Sequence, residues 1–159
     1  MTTPAGNIEK VEGLIKQFLV SIDDPAKEKA SAVVFGSSAA ALHGVDLGRP
    51  VKDLDLFVSD ADYDRIEKIA TWGIEKVEKA PGVYGLEIAA WSTEFLKEFP
   101  GVDFASVRAT ATPLTHSHGM LVASLGHLLA WKTEQIRVNP RDKDFKDREA
   151  IMAAMGGNA

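Results

Sequence analysis

The stretch that decides the fold is residues 33–58, VVFGSSAAALHGVDLGRPVKDLDLFV. It opens on a short apolar run that ends in Gly36-Ser37-Ser38, continues through a segment of small residues, and closes on DLDLFV at residues 53–58. Polar and apolar residues alternate in that closing part, which is typical of a half-buried strand. Asp53 and Asp55 are therefore expected to project from the same face of this strand.

These residue types also predict a binding site. Two neighbouring carboxylates repel each other unless a proton or a cation lies between them. Backbone N–H groups of a Gly-Ser turn at the start of a helix can hold phosphate. Asp53 and Asp55 are thus expected to hold Mg²⁺ against a triphosphate that is bound at the turn.

The same stretch resembles the nucleotidyltransferase superfamily typified by DNA polymerase beta. The superfamily signature reads here as Phe35-Gly36-Ser37 followed by Asp53-Leu54-Asp55. The resemblance implies an α/β (α+β) fold, with a short mixed sheet flanked by helices. It also implies a metal-dependent enzyme that takes an NTP with Mg²⁺ or Mn²⁺ and moves the NMP to a hydroxyl acceptor.

The order of Gly-Ser, His43-Gly44, Arg49 and the two acids is most similar to small bacterial and phage members related to abortive-infection toxins. This resemblance implies a role in a toxin–antitoxin pair or in phage defence. Those relatives often carry Arg-x-Thr-x-Asp before the acids, whereas this chain has Arg49-Pro50-Val51-Lys52-Asp53. The hydroxyl is therefore missing at Val51.

The superfamily usually has a third acid on an adjacent strand, and two residues could supply it here. Glu87 lies between two apolar residues on the strand predicted after the Pro81-Gly82 turn, and Asp103 has a similar setting after Pro100-Gly101. Glu87 is the preferred third acid and Asp103 the alternative. The resemblance thus implies Asp53, Asp55 and Glu87 as catalytic residues and metal ligands, with Glu87 able to deprotonate the acceptor.

Residues of the C-terminal part complete the expected nucleotide site. Residues 122–132 resemble the segment in which a superfamily helix carries a lysine towards the triphosphate, and residues 141–147 resemble a second basic motif. A solvated helix with ion pairs between successive turns explains the second motif equally well. The residues expected to bind the nucleotide are Gly36, Ser37, Ser38, Arg49, Lys132 and Lys143.

Length and composition limit the other possibilities. The chain has 159 residues, a formal net charge of −5 and no cysteine, which excludes a disulfide framework and a thiolate zinc site. We expect residues 1–7 to be disordered and residues 8–155 to form a single nucleotidyltransferase-like domain. No apolar run is long enough to span a bilayer and no signal peptide is recognisable, so we expect a cytoplasmic protein with no membrane partner.

Periodicity and turn signals predict the elements outside the deciding stretch. The predicted helices cover residues 8–22, 59–72, 93–99, 124–138 and 143–155. The predicted strands cover residues 32–35, 53–58, 74–80 and 83–91. Residues 26–30 are expected to form a polar connector, residues 102–104 an irregular segment, and residues 109–118 a loop or an edge strand.

The acceptor is left open, since its hydroxyl could belong to tRNA, a protein or a small molecule. The chain shows no second domain for an acceptor, so its choice could depend on the terminal helices, a homodimer or a small partner subunit. The alternative hypothesis is a catalytically inactive protein of the same fold that binds a nucleotide or a partner protein. Val51 and the long spacing between Ser37 and Asp53 favour this alternative.

Overall fold

The computed structural model describes residues 3–156, which form seven strands and seven α-helices. The strands are β1 (Val33–Phe35), β2 (Leu54–Phe57), β3 (Glu75–Ala80), β4 (Val83–Ile88), β5 (Thr93–Leu96), β6 (Thr112–Pro113) and β7 (Leu121–Val122). The helices are α1 (Pro4–Ser21), α2 (Pro25–Ser31), α3 (Gly36–Leu42), α4 (Asp60–Glu67), α5 (Phe104–Thr110), α6 (Leu125–Val138) and α7 (Asp142–Gly156). Short 3₁₀ turns occupy Ala70–Trp72 and Ala89–Trp91.

All seven strands belong to one mixed sheet, in the order β3-β4-β5-β2-β1-β7-β6. Strand β2 lies near the middle, antiparallel to β1 and parallel to β5. Asp55 is therefore in register with Phe35 on one side and with Glu94 on the other. The mixed sheet flanked by helices confirms the predicted fold class.

The hydrophobic core explains why the central strands are placed as they are. The apolar residues of β1 and β2 are fully buried, which is the burial expected for strands covered on both faces. Phe35 and Phe57 contact each other with ring centroids 5.3 Å apart, and both contact Phe99. Phe35 also contacts Trp131, so this aromatic cluster holds α6 against the centre of the sheet.

The N-terminal helix begins earlier than the sequence predicted. Residues 4–7 are helical rather than disordered, because Thr3 caps the helix and Pro4 stands at its first turn. Asn7 is buried, its amide donates to the carbonyl of Arg49 at 3.0 Å, and the Val51 N–H donates to its side-chain oxygen at 3.0 Å. The first two residues of the predicted disordered segment lie outside the described residues.

Three other predictions of local structure are wrong. The expected connector at residues 26–30 is part of α2, which Asp24 caps and Pro25 starts. The irregular segment predicted from residue 102 leads into α5, for which Asp103 is the N-cap. The helix predicted at residues 93–99 is the strand β5, because its backbone pairs with β2 and β4 on its two sides.

No helix within residues 3–156 combines the length and the apolar character needed to cross a membrane.

Candidate active site

Asp55 and Gly36 meet at the centre of the candidate site. Gly36 begins α3 with φ of 60°, in the left-handed region that favours glycine. A Cβ atom at this position would lie 2.6 Å from Oδ2 of Asp55. Only glycine therefore allows the carboxylate to approach the turn this closely.

The two serines after Gly36 have different environments. Ser38 is fully buried, where its hydroxyl donates to the Phe35 carbonyl at 2.9 Å and accepts from the Asp55 N–H at 3.1 Å. It thus joins α3 to β2 and has no exposed surface for a ligand. Ser37 is half-buried and accepts a hydrogen bond from Nη2 of Arg49 at 2.9 Å, which brings a positive charge to the turn.

The turn and the acids open into a shared cleft of about 580 Å³. Its lining contains acidic residues, basic residues of the C-terminal part, and apolar residues of β4, β5 and α6. Among the lining residues are Ser37, Asp53, Asp55, Glu94, Trp131 and Lys143. A second pocket of about 280 Å³ adjoins it, with Asp53, Lys79 and Glu94 lining both.

The structure places Glu94, rather than Glu87, next to the pair of aspartates. Glu94 is in register with Asp55 on the neighbouring parallel strand, whereas Glu87 pairs with Glu94 one strand further away. Glu87 lines the smaller pocket but not the larger cleft. Asp103 is exposed and lines neither pocket; its carboxylate accepts from the Ser106 N–H at 3.0 Å as a helix cap.

Sequence reasoning missed Glu94 because residues 93–99 have the signals of a helix start. A usable signal was present: Thr93 and Phe95 are buried and flank an acid, which is the alternation that identified β2. In a strand of four residues this signal is too short to outweigh the N-terminal helix signal of Ser92 and Glu94.

The carboxylates of the cleft repel one another, and the positive charge of Lys79 compensates them only in part. Burial raises the pKa of Asp55 to about 7, and the negative charges of Glu94 and Asp53 add to the increase. Burial also raises the pKa of Glu94, although the ammonium group of Lys79 opposes the rise. A cation in the cleft would therefore stabilise the ionised form of both residues.

The donor set fits a hard divalent cation. Carboxylate oxygens are the ligands that Mg²⁺ and Mn²⁺ prefer, and Asp53, Asp55 and Glu94 bring three carboxylates to one cleft. Within residues 3–156, no three acidic or histidine side chains are already gathered closely enough to hold a metal ion. Binding would therefore require the carboxylate side chains to turn towards the ion.

Lys132 is committed to an ionic network inside the protein. Its side chain is 2% exposed, and Nζ lies 2.7 Å from Oδ1 of Asp144 and 2.9 Å from Oδ2 of Asp147. Arg49 contacts the same oxygen of Asp147 at 2.6 Å. Burial alone would raise the pKa of Asp144, but hydrogen bonds from Arg141 and Lys132 lower it to about 2. The network joins α6, α7 and the loop before β2.

Lys143 is the lysine that remains available to a ligand. It is exposed, lines the cleft, and has no ion-pair partner within residues 3–156. Burial lowers its pKa, and the neighbouring positive charges of Arg141, Arg49 and Lys132 lower it further. An anion that binds beside Lys143 would relieve this repulsion.

Comparison with known proteins supports the fold assignment. No protein-family model matches the chain, and no curated protein matches it either. Among solved structures, the chain is similar to the solution structure of the antibiotic-resistance factor ANT(2'')-Ia, a member of the nucleotidyltransferase superfamily. The TM-score is 0.60 at 15% sequence identity, and the match covers 96% of this chain and 87% of the other. The chain therefore has a nucleotidyltransferase-like fold.

Proposed function

We propose that the protein is a metal-dependent nucleotidyltransferase that moves an NMP from an NTP to a hydroxyl acceptor. One observation carries the proposal: Asp55 and Glu94 lie in register on adjacent parallel strands, in one cleft with Asp53, Ser37 and Lys143. Three carboxylates for a divalent cation and separate groups for a phosphate chain are what nucleotidyl transfer requires. The similarity to ANT(2'')-Ia supports the same general chemistry.

We assign the metal site to Asp53, Asp55 and Glu94, with Glu94 in the role that the sequence suggested for Glu87. When bound, Mg²⁺ or Mn²⁺ would neutralise the phosphate charge and orient the triphosphate. Gly36 keeps the turn close to Asp55, and the Ser37 hydroxyl is available to a phosphate oxygen.

The cations have separate tasks in this proposal. Lys143 lines the cleft, has no carboxylate partner in the described part of the chain, and would contact the β- and γ-phosphates. Arg49 positions Ser37, because its guanidinium donates to the Ser37 hydroxyl and is itself held by Asp147. Lys132 acts through the network and holds α6 and α7 together.

The transfer step needs a proton acceptor near the cation site. The acceptor oxygen forms a bond to the α-phosphorus, and the bond from that phosphorus to the pyrophosphate oxygen breaks. The proton of the acceptor hydroxyl passes to Glu94, which lines both the cleft and the adjoining pocket.

The hydroxyl acceptor and any partner subunit complete the proposed reaction. The acceptor can be tRNA, another protein or a small molecule, and RNA would fit a toxin or phage-defence role. A homodimer or a small partner subunit could supply additional acceptor contacts. The net charge of −5 argues against a broad electrostatic surface for RNA, so an RNA acceptor would have to be bound locally.

The test separates nucleotide binding from transfer. Each NTP, labelled on the α-phosphate, is incubated with Mg²⁺ and with total RNA, cell protein or a small-molecule extract, using wild type, D55N, E94Q and the matched control E87Q. We expect wild type and E87Q to transfer the label. We expect D55N and E94Q to have lost this transfer. Transfer that survives D55N would contradict the assignment.

The same experiment decides the third acid and the alternative function. Loss of transfer in E87Q with retention in E94Q would return the third acid to Glu87. Metal-dependent nucleotide binding without transfer to any acceptor pool would favour the catalytically inactive alternative. Binding is followed with fluorescent nucleotide analogues, and K143M is expected to weaken it.

A further inference from the structure

Lys79 lies between two carboxylates at the edge of the cleft. Its Nζ contacts Oε2 of Glu94 at 2.5 Å and also contacts Oε2 of Glu87. Glu94 is one of the three proposed metal ligands and is in register with Asp55, so the ammonium group directly contacts the proposed metal site. The Lys79 side chain is 34% exposed, which leaves it a route out of the cluster.

The backbone of the β3–β4 hairpin is irregular at this residue. The pairing of β3 with β4 runs evenly as far as Glu78 with Tyr84 and then shifts by one residue before Ala80 with Val83. The shift is a β-bulge, and Lys79 is the extra residue. Lys79 follows Val77 by two residues and Val77 is opposite Gly85, so strand alternation places the lysine on the same face as Gly85.

A glycine on the neighbouring strand gives Lys79 its path to Glu94. A Cβ atom at Gly85 would lie 3.1 Å from Cε of Lys79 and 3.1 Å from Cδ of Glu94. Both side chains therefore use the space that the missing Cβ leaves over β4. The glycine and the two carboxylates are independent features that together place this ammonium group in the acid cluster.

The position of the ammonium group is electrostatically incompatible with a nearby divalent cation. Glu94 cannot give the same oxygen to both without placing two positive charges side by side. The ammonium group is attached to a flexible four-carbon chain, so it can leave when a more highly charged cation arrives.

We propose that Lys79 is a tethered counter-cation that holds Glu94 and Glu87 until a divalent cation displaces it. The inference rests on the proposed function, since it takes Glu94 as a metal ligand. It adds a role for the β3–β4 hairpin, which would set the metal concentration at which the site becomes loaded. Lys79 would then be a positioning residue that does not touch the reacting atoms.

The test measures binding of Mn²⁺ alone, with no nucleotide, from the electron paramagnetic resonance signal of the free ion. Removal of a competing unit charge is expected to tighten Mn²⁺ binding about tenfold in K79M. The matched control is K76M on the same strand, because Lys76 pairs with Glu67 and lines neither pocket, and its affinity should equal that of wild type. K79Q is a second variant that removes the charge but keeps a polar side chain, and it should also tighten binding.

The outcomes separate this inference from the proposed function. Equal or weaker Mn²⁺ binding by folded K79M, beside measurable binding by wild type, would overturn the inference and leave the metal site intact. No Mn²⁺ binding by wild type, K79M and K79Q would overturn the metal role itself. If K79M does not fold, as judged by circular dichroism, K79Q decides in the same way. Introducing D55N into wild type or into either Lys79 variant should abolish the Mn²⁺ binding which that protein shows.

Discussion

Asp55 combines burial with like-charged neighbours, and this makes its ionisation unfavourable. Its pKa is about 7 in the folded protein, against an ordinary value of 3.8 for an aspartate side chain. Between these values the folded state binds more protons than the unfolded state, so the free energy of unfolding falls as pH rises through this window. Below about pH 4 the folded state keeps this contribution to stability in full, and by about pH 7 most of it has been lost.

Removal of the Asp55 charge should therefore stabilise the protein at high pH. In metal-free protein with EDTA, D55N should increase the free energy of unfolding at pH 8 by about 1–3 kcal/mol and should have little effect near pH 4, where Asp55 is largely protonated in the folded state. Urea unfolding at the two pH values measures this difference. A variant that is less stable than wild type at pH 8 would show that Asp55 stabilises the fold as an anion.

Gly36 is the second residue whose local geometry has a measurable consequence. G36A should lower the free energy of unfolding by about 2–4 kcal/mol, for two reasons. Alanine is strained in the left-handed conformation of this position, and its Cβ would clash with the carboxylate of Asp55. The matched control is G44A, because Gly44 also has a positive φ but no atom lies within 4 Å of its added Cβ. G44A should cost only about 1 kcal/mol, and equal losses would exclude the clash.

At the scale of elements, the contact between α6 and α7 depends on buried charges. K132M would leave Asp144 and Asp147 without their shared cation, and we expect a loss of about 3–5 kcal/mol in the free energy of unfolding. K143M is the matched control, with a small effect on stability and a weaker affinity for nucleotide. Urea unfolding and nucleotide titration of both variants test this division. The opposite pattern would assign the triphosphate to Lys132, as the sequence suggested.

The elements also show what a single sequence can predict. Strands β1 and β2 follow from a strong apolar run and a clean alternation, and the β3–β4 hairpin follows from Pro81-Gly82. Strand β5 could not be predicted as easily, because its conformation is decided by pairing with β2 and β4, and such tertiary pairing overrides a local helix signal. Since Glu94 is on β5, the helix prediction for residues 93–99 kept it out of the candidates for the third acid, of which Glu87 was preferred.

The same limit applies to the two basic motifs of the C-terminal part. Sequence resemblance placed Lys132 and Lys143 in one group, and both do line the cleft. Their roles depend on which carboxylates lie nearby after folding, and that requires the packing of α7 against α6. Helix α2 was also missed, although Asp24 caps it and Pro25 stands in its first turn.

At the scale of the whole molecule, ligand binding to a cleft between the sheet and the C-terminal helices should stabilise the fold. A nucleotide with Mg²⁺ at about 100 times its Kd would add about 2.7 kcal/mol to the free energy of unfolding, which raises Tm by roughly 5–10 °C. Differential scanning calorimetry with each NTP measures the shift. D55N and K143M should show a smaller Tm shift than wild type. A Tm shift as large as that of wild type in both variants would place the nucleotide elsewhere.

The ion pair between Arg49 and Asp147 joins residues that are 98 positions apart along the chain. Contacts of such long range form slowly because a large loop must close first, and synthesis delivers the aspartate long after the arginine. Until then the guanidinium group lacks this carboxylate, and Ser37 lacks a fixed neighbour. The polypeptide therefore completes its cleft only after the ribosome has released the segment that carries Asp147.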